Sequence, residues 1–577
     1  MSTQPARAGW STGNTALEGS RSHKWWTLAA TCVALFMALL DVTIVNVALP
    51  TIQKDLGASF QDLQWVVSAY TLTLASFLVT SGRLGDIFGR KRVFIIGLIV
   101  FTFGSLLCAI SGNVTIGGVH PITLLHISRA IQGIGGSIMF PLTLAIISAT
   151  FEGRERGAAI GIWGGVTGLA TAIGPLIGGL LVEKINWQSI FYLNIPIGVA
   201  AVALTTWAVR ESRDEHAARS VDLFGLVTVT VSMFCLLLAL IQGNDADKGW
   251  TSPYILTLFA VAALAFLTFI IGELRLKNPM VDPRLFKNAS FTGAAIAGFS
   301  VSAGMFSLFF FLALYFQNFL GFAPLDAGLR FLPLSCLAFF AAPIAGRMTD
   351  KIGARPFVFG GLALLAIAAA LMTRISPHDQ QNDWVVLLPA FLIGGIGIGL
   401  VNPPISTVAV GTVQRARAGM ASGVNGMCRQ VGNAFGIAFL GAMLTRQYNA
   451  YLHDRITALT LPGGMPDAAR TGMIGGLQKA GTIAGSMGRI SDPAHPNPYQ
   501  GTPAYTQLAP QLRQIARASF VDGTVDILRI AAVILAVGAV ASLLLIKRSD
   551  MLHEQWGAAP AGASAEVPTR QPLHAEI

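Results

Sequence analysis

About fourteen apolar runs, each long enough to cross a bilayer, constrain this chain more than any motif does. A hydrocarbon core about 30 Å thick takes roughly 20 apolar residues in a helix. Backbone N–H and C=O groups in lipid must be satisfied within their own segment. The chain is therefore expected to be an all-α polytopic membrane protein. The runs span approximately Trp25–Pro50, Leu63–Ser81, Val93–Ser111, Ile122–Ile147, Ala158–Val182, Ile190–Val209, Leu223–Ile241, Tyr254–Ile271, Phe291–Phe316, Ala327–Met348, Phe357–Met372, Val385–Val408, Met420–Leu444 and Val525–Ile546. Composition agrees: 53% of the residues are hydrophobic and 12% charged, against about 25% charged in soluble domains.

The net charge of +10 does not point to nucleic acid, because the basic residues sit in short loops between apolar runs, where they set topology. With a cytoplasmic N-terminus, about eighteen Lys and Arg fall in inner short loops and five in outer ones. This predicts a multi-pass protein of the plasma or inner membrane with both termini cytoplasmic. The five cysteines lie inside apolar runs with no metal or disulfide spacing. No metal, cofactor or enzyme constellation appears, and no GxxxxGK[ST] phosphate loop either, which leaves an ion gradient as the energy source. No cleavable signal peptide is expected, since the first apolar run exceeds the h-region length.

The chain repeats itself. GRLGDIFGRKR (Gly82–Arg92) closes the second run and GRMTDKIGARP (Gly346–Pro356) the tenth. Duplicated six-helix halves place a site between them near the midplane. The expected organisation is a cytoplasmic tail (1–24), a first six-helix bundle (25–210), a linker with two inserted helices (211–272), a second bundle (273–547) and a cytoplasmic tail (548–577). The outer stretch 448–522, rich in Gly, Pro and Ala, is expected to hold little regular structure beyond a short helix over Ala504–Ala518.

Within the first run Asp41 is the lone ionisable residue. A carboxylate in hydrocarbon costs roughly 2.5 to 3.5 kcal/mol on insertion scales, so such groups face a bundle interior and belong to ion or substrate pathways. Arg129, in the fourth run, is the matching cation, with Gln132 one turn away on its face. His126 reads as a core histidine. Burial favours the neutral carboxyl and a nearby guanidinium the charged one. A pair whose separation changes with conformation therefore takes up and releases a proton. A static ion pair between packed helices is the other reading.

Several ordered motifs resemble a known family. GRLGDIFGRKR looks like the major facilitator motif between helices two and three. LLDVTIVNVALP resembles the first-helix motif of the fourteen-helix drug:proton antiporters, the EmrB/QacA-like branch. Arg129, Gln132, Gly133 and Gly136 are similar to its fourth-helix pattern. Gly164, Gly168, Gly174, Pro175, Gly178 and Gly179 match the fifth-helix antiporter motif, and Trp187–Gly198 the start of the sixth helix. The resemblance implies a major facilitator fold of two six-helix bundles plus two inserted helices. It implies proton-coupled export of hydrophobic, neutral or monocationic small molecules by alternating access, or a dedicated exporter of one metabolite, antibiotic or lipid. A symporter or a membrane sensor is less consistent with the motifs. The partners implied are a lipophilic substrate, protons and the bilayer; a periplasmic adaptor is left open.

In the inner loop Gly82, Asp86, Gly89, Arg90 and Arg92, with the repeat's Asp350, read either as a latch that pairs in one conformation and breaks in the other, or as a topology signal with a tight turn. The fifth-helix glycines read as a hinge and seal or as plain close packing. Met37, Trp65, Tyr70, Met139, Phe140, Phe310, Phe311, Tyr315 and Gln317 are candidates for the substrate cavity through dispersion and cation–π contact. Asn402, Pro403 and Pro404 break the twelfth run, and Arg429 in the thirteenth has no assigned partner. The tenth run carries no second acid, which suits a one-proton cycle.

Overall fold

The computed structural model describes residues 21–58, 60–112, 120–151, 153–213, 222–243, 249–276, 281, 283–414, 417–459, 470–478 and 503–550. Among them there is no strand. The long helices are α1 (Arg21–Leu56), α2 (Phe60–Phe88), α3 (Arg90–Ile110), α4 (Pro121–Thr150), α5 (Gly153–Lys184) and α6 (Asn194–Ala208). They are followed by α7 (Leu223–Gln242), α8 (Pro253–Arg275), α9 (Ala289–Phe319), α10 (Pro324–Ile352), α11 (Arg355–Met372), α12 (Leu388–Gly411), α13 (Ala418–Thr457) and α14 (Pro503–Leu545). Among the described residues twelve of these meet both the length and the apolarity of a membrane span; α5 and α13, with 32 and 40 residues, are long enough as well, and α13 is the more polar of the two.

The chain terminates its helices where local chemistry dictates. Gly89 and Gly353, at matching places in the two repeats, adopt φ of 107° and 99° and end α2 and α10. A Cβ at either would be strained, so the repeated glycine is required by the backbone. Ser252 and Asn288 accept from the first N–H groups of α8 and α9, as N-caps do.

Each half has its own core. In the second half Val301, Met305, Leu334, Leu362, Leu365, Val401, Leu440 and Leu535 form one buried cluster across α9 to α14. In the first half Met37, Tyr70, Phe94, Phe101, Met139 and Leu142 form the largest of several. The inserted hairpin α7–α8 packs beside α2 and α13 through Val229, Met233 and Phe269 against Val79 and Val424. Its helix α8 is only 17% buried over its most apolar window, so Leu264, Leu267 and Ile271 face outward into lipid.

The halves meet along two lines, α2 against α13 and α5 against α10. Near the Gly82–Arg92 loop and its repeat the contact is backbone to backbone, at Gly82 with Gly419 and at Gly157 and Gly161 with Gly346. Small residues permit that approach. The two halves are thus closed against each other at the end that carries the Gly82–Arg92 loop.

Two expectations are corrected. The ninth run is not a uniform helix: π-turns occupy Ser302–Phe306 and Tyr315–Phe319. The outer stretch is also far more regular than its composition suggested. α13 runs on to Thr457, α14 begins at Pro503, and 470–478 is helical between them. Fully buried Leu452, Ile456, Leu512 and Phe520 hold the extension together. The signal was obscured because its other faces are polar: Arg455 pairs with Asp522, and Gln447 and Tyr451 donate to Asp526. The tails 1–20 and 551–577 lie outside the described residues.

Candidate functional site

Asp41, on α1, is wholly buried, and side chains of α4 and α6 reach it directly, with α2 and α3 holding those partners. Arg129 Nη1 of α4 donates to its Oδ2 at 2.5 Å. Gln132 Nε2 of α4 donates to Oδ1 at 2.8 Å, and Asn194 Nδ2 of α6 to the same oxygen at 2.9 Å. Ser105 Oγ of α3 accepts from Gln132 at 2.6 Å and from Asn194 at 3.3 Å. The carboxylate therefore has three donors, the condition under which a buried charge is tolerated.

Arg129 is equally confined. Its Nη1 also donates to Gln132 Oε1 at 2.7 Å, its Nε to the Val66 carbonyl at 3.0 Å, and its guanidinium lies 4.4 Å from the Tyr70 ring centroid. The Tyr70 hydroxyl donates to the Ala38 carbonyl at 3.4 Å. The 3.6-residue period places Arg129 and Gln132 on one face of α4, and Gln132 bridges anion and cation. Asn194 Oδ1 is left without a partner. The hydrogen bonds to the Asp41 carboxylate come from side chains, while Arg129 is also tied to the backbone at Val66.

Asp86 joins the two halves at the end where α2 meets the start of α13. Arg90 Nε and Nη2 donate to its Oδ1 at 2.9 and 2.8 Å, and both groups are buried. Across the interface the backbone N–H groups of Gly419 and Met420, at the start of α13, donate to it at 3.2 and 2.9 Å. A helix N-terminus favours a negative charge there. Arg92 is not part of this group: its side chain is 79% exposed and lies 3.8 Å from Glu211. The expectation for Arg92 is thereby corrected, since helix periodicity turns it away from Asp86. The side chains of Asp350 and Pro175 lie outside the described residues.

The fifth-helix glycines face three different helices. Gly174 and Gly178 meet Thr43 and Ile44 of α1, Gly164 meets Pro403 of α12, and Gly168 meets Ala338 of α10. One helix thus touches the Asp41 helix of its own half and two helices of the other.

The cavity candidates disperse. Met37, Tyr70 and Met139 are enclosed in the first-half core and Phe140 packs against it, with only Tyr70 touching the Asp41 network. Trp65 packs against Leu72 and Leu237, beside the inserted hairpin. Tyr315 and Phe311 lie in the second-half core, with the Tyr315 hydroxyl donating to Asp379 at 2.8 Å. Phe310 and Gln317 are exposed on the outer surface of α9. His126 Nε2 lies 2.9 Å from the Asp62 carbonyl, as a core histidine should. Sequence reasoning missed Ser105 and Asn194; a lone Asn in the apolar run after Trp187 was the available signal.

Comparison with known proteins follows from this geometry. A profile of the Major Facilitator Superfamily matches residues 31–437. The "Multidrug resistance protein Stp" of Mycobacterium tuberculosis (strain CDC 1551 / Oshkosh) is 36% identical over 431 residues, 74% of this chain and 78% of the relative. The "Tetracenomycin C resistance and export protein" of Streptomyces glaucescens is 32% identical, with 86% and 90% covered. The "Multidrug transporter protein MdtP" of Bacillus subtilis (strain 168) is 31% identical, with 93% and 96% covered. Among solved structures, the proton:xylose symporter XylE superposes with a TM-score of 0.58 at 12% identity over 93% of this chain and 99% of that one, which speaks to the fold alone. With its helices, its repeat and its relatives in agreement, this chain belongs to the Major Facilitator Superfamily and is a multi-pass membrane transporter, not an enzyme.

Proposed function

We propose that this chain is a proton-coupled antiporter that exports hydrophobic small molecules of antibiotic type by alternating access. The observation that carries the reading is the wholly buried Asp41, held by Arg129, Gln132 and Asn194. In the arrangement seen here, closed at the Gly82–Arg92 end, Arg129 holds Asp41; a proton taken up from outside neutralises Asp41 and releases it from Arg129. On opening inward, Arg129 returns, favours the charged carboxyl and drives the proton into the cytoplasm. The gradient supplies about 1.4 kcal/mol per pH unit and about 2.3 kcal/mol per charge per 100 mV.

Asp86 stabilises the state closed at the cytoplasmic end through its bonds to α13, and α5 acts as seal and hinge because it touches both halves. The charge distribution of the short loops favours a plasma or inner membrane location with both termini cytoplasmic. Relatives named for one compound, such as the tetracenomycin C protein and the "Puromycin resistance protein pur8" of Streptomyces alboniger, favour a second reading, export of a single natural product. Expression in an efflux-deficient bacterial host tests the proposal. Accumulated ethidium should fall relative to a vector control and rise again on adding a protonophore. Efflux that persists with the proton gradient collapsed contradicts proton coupling.

A further inference from the structure

Across the molecule from Asp41, the second half holds a polar group that nothing above uses. Arg429 lies on α13 about 16 Å along the helix from its cytoplasmic start at Ala418, near mid-membrane. One of its terminal nitrogens donates to Asn402 Oδ1 of α12. Its Nε is buried without a partner, and so are Asn402 Nδ2 and Asn425 Oδ1. Asn402 and Asn425 are only 2% and 4% exposed. No carboxylate among the described residues pairs with Arg429, in contrast to Arg129, Arg90 and Arg455.

The group lies next to residues that pack across the interface between the halves. A Cβ at Gly298 of α9 would lie 3.1 Å from Arg429 Cγ, 3.4 Å from Asn425 Oδ1 and 3.7 Å from Arg429 Nε, so the absent side chain is what lets Arg429 lie against α9. Asn402 directly precedes Pro403, whose ring lies against Gly164 of α5, and Gly426 of α13 meets Leu78 of α2. The π-turn Ser302–Phe306 follows one turn beyond Gly298, and such turns mark functional positions in helices.

We propose that Arg429 and Asn402 form a substrate subsite that binds the oxyanion, carboxylate or ionised phenol, of an amphipathic substrate. A buried cation without a counter-charge, next to a second unused donor, is complementary to an anionic oxygen. At this subsite neutral molecules would leave the guanidinium uncompensated and cations would add repulsion, so such substrates bind away from it. The substrate charge expected from the sequence, neutral or monocationic, is therefore too narrow. The inference rests on the exporter reading and assigns the charge class to its substrate. Moving one such anion out against one proton in transfers two charges in the same electrical sense, so the membrane potential drives export doubly.

The test uses the full chain in nanodiscs and compares 1-pyrenebutyrate with its neutral isostere 1-pyrenebutanol, read by energy transfer from tryptophan after subtraction of empty discs. The wild type should bind the acid at least about tenfold more tightly than the alcohol, a difference of about 1.4 kcal/mol. Arg429→Gln should abolish that preference and Arg429→Lys should keep part of it. Equal binding of acid and alcohol by the wild type, or a preference that survives in Arg429→Gln, overturns the proposal. The wild-type comparison decides it even where a variant fails to fold. Exchange of tetraphenylphosphonium for protons in wild-type proteoliposomes reads the antiport proposal separately, so either can fail alone.

Discussion

Replacing Asp86 with Asn should release the cytoplasmic closure, and the structure sets the size of the effect. Asp86 spends its charge on two sets of donors: Arg90 on its own half, and the N–H groups of Gly419 and Met420 on the other. Arg90 accompanies Asp86 in every conformation of the first half, so that part of the loss cancels between states. Only the two bonds across the interface and the field of the α13 N-terminus differ. Hydrogen bonds to a charged acceptor contribute about 1.5 to 3 kcal/mol and neutral ones about 0.5 to 1.5. Loss of charge therefore weakens each by about 1 kcal/mol, and the helix end adds about 0.5 kcal/mol. A total of about 2 to 3 kcal/mol shifts the closed-to-open ratio roughly thirty- to over a hundredfold. Spin labels at Phe88 and Ile352, each 52% exposed near the cytoplasmic ends of α2 and α10, would report it by double electron–electron resonance in a cysteine-free background. Asp86→Asn should convert the short distance population to a longer one. An unchanged distance distribution refutes the latch and returns the loop to a topological role.

Other substitutions separate packing from chemistry. Gly174→Ala places a methyl group into Thr43 of α1 and should cost about 1 to 3 kcal/mol in stability, whereas Gly360→Ala meets nothing within 4 Å and should leave the melting temperature unchanged or raised. Asn194→Ala removes one donor from Asp41 and should slow proton-coupled exchange about tenfold at normal expression; an unaffected rate would show that Asn194 is a bystander. In the outer extension, Leu452→Ala or Leu512→Ala should cost about 2 to 4 kcal/mol and expose the 458–502 segment to protease. Arg455→Ala, which breaks a pair about one-third exposed on both sides, should cost no more than about 1 kcal/mol.

What the sequence discloses here follows from how each signal is encoded. Helix number and order were legible because lipid admits only one backbone solution per segment. Asp41, Arg129 and Gln132 stood out because ionisable groups inside apolar runs are costly, and Gln132 shares the Arg129 face by helical period. Ser105 and Asn194 stayed hidden because small polar residues cost little in membrane helices and carry no sign of where they point. The π-turns in α9 were invisible for a related reason, since FSVSAGMFSLFF is as apolar as an unbroken helix. The continuation of α13 to Thr457 was missed, and the helix expected over Ala504–Ala518 proved to be continuous with α14, because hydropathy marks the bilayer boundary while these helices continue through it on amphipathic packing of Leu452, Ile456 and Leu512. Arg92 was misplaced because a sequence motif records which residues occur together, and helix periodicity then sorts them onto different faces.

Asp41 as the proton carrier is the central claim, and the most direct measurement of it is exchange in proteoliposomes with an inside-acid gradient, following uptake of a lipophilic dye cation and release of protons together. The account predicts that wild type takes up dye and releases protons in a fixed ratio, and that Asp41→Asn loses the coupling while still folding and binding dye. Equal dye uptake and equal proton release by Asp41→Asn would contradict it, leaving Asp41 as a structural member of a buried ion pair.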